Sequence, residues 1–167
     1  VMAIITTVGA TTANSYITVA EYETFWTERN VTISHSTAAK ESELVKAADY
    51  LNRTYNYIGE RQYRYQGMEW PRLTGTMLVK DWPIDPDTVP QDIKDAQAEM
   101  AYLIHGGATP FSTVSYGAIK RTKSNAGSVE SETEYTNYRE VPRYVAIEGL
   151  LAPYTEFGGA QIKVLRA

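Results

Sequence analysis

The side chains best suited to chemistry are scarce in this chain of 167 residues: two histidines and no cysteine. An imidazole that binds metal or acts as a general base needs a second ligand or a nucleophile placed to meet it. His35 falls in a polar turn and His105 at a helix end, with no spacing that suggests a metal pair, so neither is expected to be catalytic. The absence of cysteine excludes disulfides, thiolate metal sites and a cysteine nucleophile, and leaves the redox compartment open. Asp85-Pro86-Asp87 resembles the start of a calcium loop, but the glycine and the distant bidentate glutamate are missing, which leaves a solvated turn. No glycine-rich segment leads into a helix as a phosphate cradle would. The expectation is a protein that is not an enzyme, with no catalytic, metal or cofactor site.

Two charged patterns remain. Arg53, Tyr55, Tyr57, Arg61, Tyr63, Arg64 and Tyr65 interleave bases with rings, the combination that holds phosphates while bases stack. The same residues could equally pack a loop, with Tyr55 in a helix stripe and arginines lying over aromatic faces. Further on, Trp70 followed by Pro71 and Arg72 gives a bulky aromatic before a rigid turn, expected to anchor that loop to the core. The second pattern is Lys120, Arg121 and Lys123 ahead of Glu130, Glu132 and Glu134. Period two puts the three glutamates on one face of a strand. Such charges can pair across one hairpin, or form a seam with the next copy in a head-to-tail ring.

These residues have to be positioned by a fold of modest size. The length suits one domain with a sizeable core, and 43% hydrophobic with 22% charged residues indicates an ordinary globular chain. A net charge of −4 gives no overall field toward nucleic acid or anionic membrane, so any DNA contact must be local. Residues 1–12 lack the basic and apolar regions of a signal peptide, and no apolar run is long enough to span a membrane. This predicts a protein made and used in a cytoplasm-like space. Two matches to the glycosylation sequon, at Asn30 and Asn52, are set aside on the same ground.

Thr18 and Glu21 have capping-box spacing and predict a first helix over 19–29. A polar turn over 32–37 precedes Leu44, Ala47, Ala48, Leu51, Tyr55 and Ile58, a helical stripe that Gly59 would stop. Residues 59–90 hold too many glycines and prolines for more than an ordered loop. Pro90 in a first turn, Asp92 and Asp95 near the positive end, and Ile93, Ala96, Met100, Leu103 and Ile104 as the buried stripe predict a third helix ending at Gly106-Gly107. Strands over 118–124 and 129–135 read as a hairpin. A last short helix follows Pro142 through Ala146, Leu150 and Leu151, and 158–167 reads as a tail. The fold class is therefore mainly α: a small bundle of about four helices with a projecting β-hairpin and extended terminal segments. The whole of 1–167 is taken as one domain, with a helical core over about 13–110 and 142–155, the hairpin at about 115–138, and flexible termini.

The order of certain residues resembles a known family, the phage head-to-tail adaptors, including members catalogued as DnaT-like single-stranded-DNA-binding proteins. The resemblance rests on Ala13-Asn14-Ser15-Tyr16 with Val19-Ala20-Glu21, Lys46-Ala47-Ala48-Asp49-Tyr50-Leu51, and Tyr57-Ile58-Gly59. It continues through Gln66-Gly67-Met68-Glu69-Trp70-Pro71-Arg72, Pro90 with Ile93 and Ala96, and Lys120 to Lys123 followed by the Glu-rich strand and Tyr135. It implies a structural protein of the virion neck: a ring of about twelve copies that binds the portal protein and a tail, stopper or terminator protein. DNA would pass through its lumen without sequence-specific binding. The alternative is a replication accessory protein that binds single-stranded DNA through Arg53, Arg61, Tyr63, Arg64 and Tyr65.

Overall fold

The computed structural model describes residues 3–76, 78–111, 119–125, 130–135 and 144–156, and for 119–125 and 130–135 the backbone path. Helix α1, Val19–Thr27, starts with the expected capping box: Thr18 Oγ1 accepts from the Glu21 amide at 3.2 Å, and Glu21 Oε2 accepts from the Thr18 amide at 2.7 Å. Its buried face is Tyr22 and Trp26, and the Trp26 indole donates to the carbonyl of Ala98 at 3.3 Å.

Helix α2, Thr37–Thr54, is capped by the Ser36 hydroxyl and buries Leu44, Ala47, Ala48 and Leu51. It stops short of the predicted end at Gly59. Tyr55 is already extended, and the carbonyls of Tyr57, Ile58 and Gly59 are bonded by the Arg72 guanidinium instead of continuing a helical ladder. Gly59 has a different task from ending a helix. Its φ is +72°, and a Cβ there would lie 2.2 Å from the Leu73 carbonyl oxygen, so only glycine allows the two segments to approach this closely.

Those two segments form the first of two miniature antiparallel pairs, β1 (Glu60–Arg61) with β2 (Arg72–Leu73); the second is β3 (Leu78–Val79) with β4 (Trp82–Pro83). The turn of the second pair places Lys80 and Asp81 at positive φ, the conformation of a tight hairpin turn. Helix α3, Gln91–His105, has Pro90 just outside it as N-cap. Ile93, Ala96, Met100 and Ala101 are buried; Leu103 and Ile104, expected in the same stripe, are half-buried. Helix α4, Val145–Leu151, buries Ile147 and Leu151 and runs into a 3-10 turn, Ala152–Tyr154. The segment then bridges back, with Tyr57 and Thr155 paired and the Ile58 amide donating to the Tyr154 carbonyl at 2.9 Å.

Alanines at 47, 48, 96, 98 and 101 are all buried, and small side chains let helix backbones pack closely with few voids. At the centre lies a polar residue, Gln97, fully buried. Its Oε1 accepts from the Tyr16 amide at 2.8 Å, and its Nε2 donates to Ser15 Oγ at 2.8 Å and to the Leu44 carbonyl at 2.9 Å. One α3 side chain thus ties the segment before α1 and the middle of α2 to the core.

By compactness the chain divides into two units, one over 1–109 with 144–167 and one over 110–143. The second holds β5 (Ile119–Asn125) and β6 (Glu130–Tyr135), an antiparallel hairpin with a register shift between Ile119 and Arg121. The architecture is mainly helical with small hairpins, as the sequence predicts. The expected tail over 158–167 and Pro142 lie outside the described residues. Among the described residues no helix is long and apolar enough to cross a membrane.

Two outcomes follow for stability. Gln97→Leu keeps the shape but strands the Tyr16 amide and the Leu44 carbonyl in a dry core; denaturant unfolding should show a loss of about 2 kcal/mol or more. Asp92, in the first turn of α3, is pushed up by burial, but hydrogen bonds from Lys80 and Tyr154 outweigh this and hold its pKa below the ordinary aspartate value. A lowered folded pKa means stability that is present above the ordinary value and lost as pH falls through the folded one. Unfolding midpoints of Asp92→Asn should therefore be less sensitive to acid than those of the unaltered chain.

Candidate nucleic-acid interface

The segment between β1 and β2 is held in shape by Gln66, whose side chain is turned inward onto the segment's own backbone. Gln66, buried, accepts from the Tyr63 amide at 2.9 Å and donates to the carbonyls of Met68 at 2.8 Å and Pro71 at 3.0 Å. Gly67 donates to the Ala10 carbonyl at 3.0 Å, which brings the N-terminal strand-like segment against the loop. That segment is itself pinned by Asn14, whose Oδ1 accepts from the Ile5 amide at 2.8 Å.

Trp70 is 1% exposed, follows the same inward course, and meets Tyr57 and Tyr154 edge to face, each at 5.7 Å between ring centres. The peptide bond from Trp70 to Pro71 is cis. Arg72, also buried, donates to Ile58 O at 2.9 Å, Tyr57 O at 3.2 Å and Gly59 O at 2.6 Å, and pairs with Glu69 at 2.6 Å. Trp70, Pro71 and Arg72 are therefore interior residues of this loop.

The Arg/Tyr pattern splits in two. Tyr55 and Tyr57 are buried core residues. Arg53 stands on the last turn of α2, exposed and 3.4 Å from Asp49. The remaining four are surface residues carried by the rigid loop. Tyr63 is 43% exposed, and its ring lies against Gly9, where a Cβ would come within 2.5 Å of it. Its hydroxyl donates to Asp87 at 3.1 Å, a bond that raises its pKa. Tyr65 is 69% exposed, with the Arg64 guanidinium 5.2 Å from its ring centre. Arg61 donates to the Gln66 carbonyl at 3.4 Å. Among the described residues no salt bridge engages Arg61 or Arg64.

Sequence reasoning passed over Trp82. It sits beside the Lys80-Asp81 turn and is 76% exposed, with Leu78 of the same hairpin at 62%. A tryptophan between turn residues and a proline was its available signal. Glu43 was passed over too: it brings His35 and His105 together, although their positions in sequence gave no hint of proximity. The two imidazole rings lie 3.6 Å apart between centres, and both approach the same carboxylate.

In the second unit the register places Arg121 opposite Glu134, Lys123 opposite Glu132 and Asn125 opposite Glu130, while Lys120 falls at the register shift. Opposite charges directly across an antiparallel ladder favour the pairing by roughly 0.2–1 kcal/mol.

The two groups of loop residues should separate on mutation. Arg72→Ala removes the partner of three carbonyls, that of Tyr57 buried and those of Ile58 and Gly59 part-buried, and of Glu69, and thermal unfolding should report a loss of about 3 kcal/mol. Arg64→Ala should leave the melting temperature unchanged. The model of a family described as "Putative DnaT-like ssDNA binding protein" matches residues 2–167. No curated protein and no solved structure matches the chain.

Proposed function

Because the chain belongs to this DnaT-like family, we propose that it binds single-stranded DNA, with Tyr65 and Tyr63 as stacking surfaces and Arg61 and Arg64 as phosphate contacts. The observation that carries the reading is the exposure of Tyr65 beside Arg64, which has no salt bridge among the described residues. A ring whose purpose is packing is buried, as Trp70 is; this one is held out by a loop that Gln66 bonds to itself. Aromatic faces stack on any base, and guanidinium groups contact phosphate without reading sequence, so binding would be sequence-tolerant. The overall charge of −4 opposes association, so affinity is local and modest and is weakened by salt.

A second reading is a subunit of the head-to-tail connector, a ring of about twelve copies docked on the portal. It is supported by the ordered resemblance and by the compactness of the 110–143 unit, which carries Lys120, Arg121, Lys123, Glu130, Glu132 and Glu134 on its two strands. Exposed tyrosine, tryptophan and arginine also suit a protein interface, so the loop serves either partner chemically.

Fluorescence anisotropy with a labelled oligothymidine separates the two. The single-strand reading expects binding whose logarithm falls linearly with log salt, with Arg61→Ala and Arg64→Ala each reducing the slope by about 0.7. Tyr65→Ala should cost about tenfold or more in affinity. No binding at low salt, together with about a dozen copies per purified nuclease-treated virion, would overturn it in favour of the connector.

A further inference from the structure

We propose that His35, Glu43 and His105 form a binding site for one divalent transition-metal ion of the zinc type, a staple joining the turn before α2, α2 itself and the last residue of α3. One ligand atom from each residue lies within 4.8 Å of the others. Glu43 Oε1 is 2.6 Å from His35 Nδ1 and 3.5 Å from His105 Nδ1. Ligand atoms on a tetrahedral zinc are about 3.4 Å apart, from bond lengths near 2.1 Å. The Glu43–His105 edge already has that length, and the His35–Glu43 edge must open by less than about 1 Å. His35 is on an exposed turn with room to give, its side chain 43% exposed.

The groups are also short of partners in the way a ligand set would be. Glu43 is only 7% exposed, and its Oε2 and the Nδ1 of His105 are buried without a hydrogen bond among the described residues. Burying a carboxylate with one oxygen unpaired costs several kcal/mol unless a cation compensates it. The Tyr22 hydroxyl is likewise buried and unpartnered; burial first, and then the negative charge of Glu43, raise its pKa. Two neutral imidazoles and one carboxylate are borderline donors that suit zinc and its late first-row neighbours; calcium and magnesium demand oxygen ligands. His35, its side chain 43% exposed, is the solvent-facing member of the set. With no cysteine in the chain, imidazole and carboxylate are the donors such a staple would use.

The test uses the full chain without a histidine tag, stripped with chelator and titrated with zinc chloride by calorimetry, with cobalt(II) absorption as the second readout. The expected result is one ion per chain, visible cobalt bands of a four-coordinate nitrogen and oxygen site, and a raised melting temperature. His35→Ala, on the exposed turn, keeps the fold and should weaken binding at least about tenfold; Glu43→Gln and His105→Ala should do so as well. Absence of stoichiometric uptake by the folded chain would overturn the proposal, as would uptake that all three variants leave unchanged. In the first case His35, Glu43 and His105 are a hydrogen-bonded cluster only; in the second the ion binds elsewhere.

Discussion

A chain that must run from Gly59 to Pro90 without a long helix or strand has to find partners for its backbone some other way, and the Arg72 guanidinium supplies them. Its fork reaches three successive carbonyls at the exit of α2 and a carboxylate three residues back. A planar group with five donors in fixed directions can do this where a lysine could not. Because Arg72 holds residues 57–59, the strand that follows leaves in a fixed direction, and Arg61, Tyr63, Arg64 and Tyr65 inherit that direction. The direction of the surface proposed to meet DNA is therefore set by a buried cation that is not part of it.

The same economy recurs with Gln66 and Gln97. Both are neutral, both are buried, and each makes three hydrogen bonds. A buried amide so bonded avoids the desolvation cost that an ion would bring and still dictates which segments meet. The core alanines and leucines make the chain collapse; the two glutamines and one arginine decide how the loop and the N-terminal segment lie on it.

Helices were legible where periodicity and caps agreed. Thr18 with Glu21, the stripe from Leu44 to Leu51, and Ile93 through Met100 lie where pattern and capping put them, while Pro90 stands one residue outside the helix it was expected to open. Tyr55 and Ile58 misled because they continue a stripe by spacing while a distant arginine has claimed the neighbouring carbonyls, and no local signal records that. Gln97 sits on the apolar side of α3, where its polarity argued against a core position; its three partners come from residues far away in sequence. The same limit hid Glu43. Metal-ligand spacing is a local signature, and here the three donors come from three different elements. The Arg/Tyr run was legible as chemistry but not as exposure: Tyr57 and Tyr65 look alike in sequence, and the fold buries one while exposing the other.

The position of the hairpin unit carries a consequence of another kind. Residues 110–143 are spliced between α3 and α4, two helices that belong to the same core unit. The chain leaves that unit after α3 and rejoins it before α4, so the excursion begins and ends on one unit. Loop-closure entropy grows only slowly with length, so an excursion of this kind can be lengthened, trimmed or rewritten at small cost.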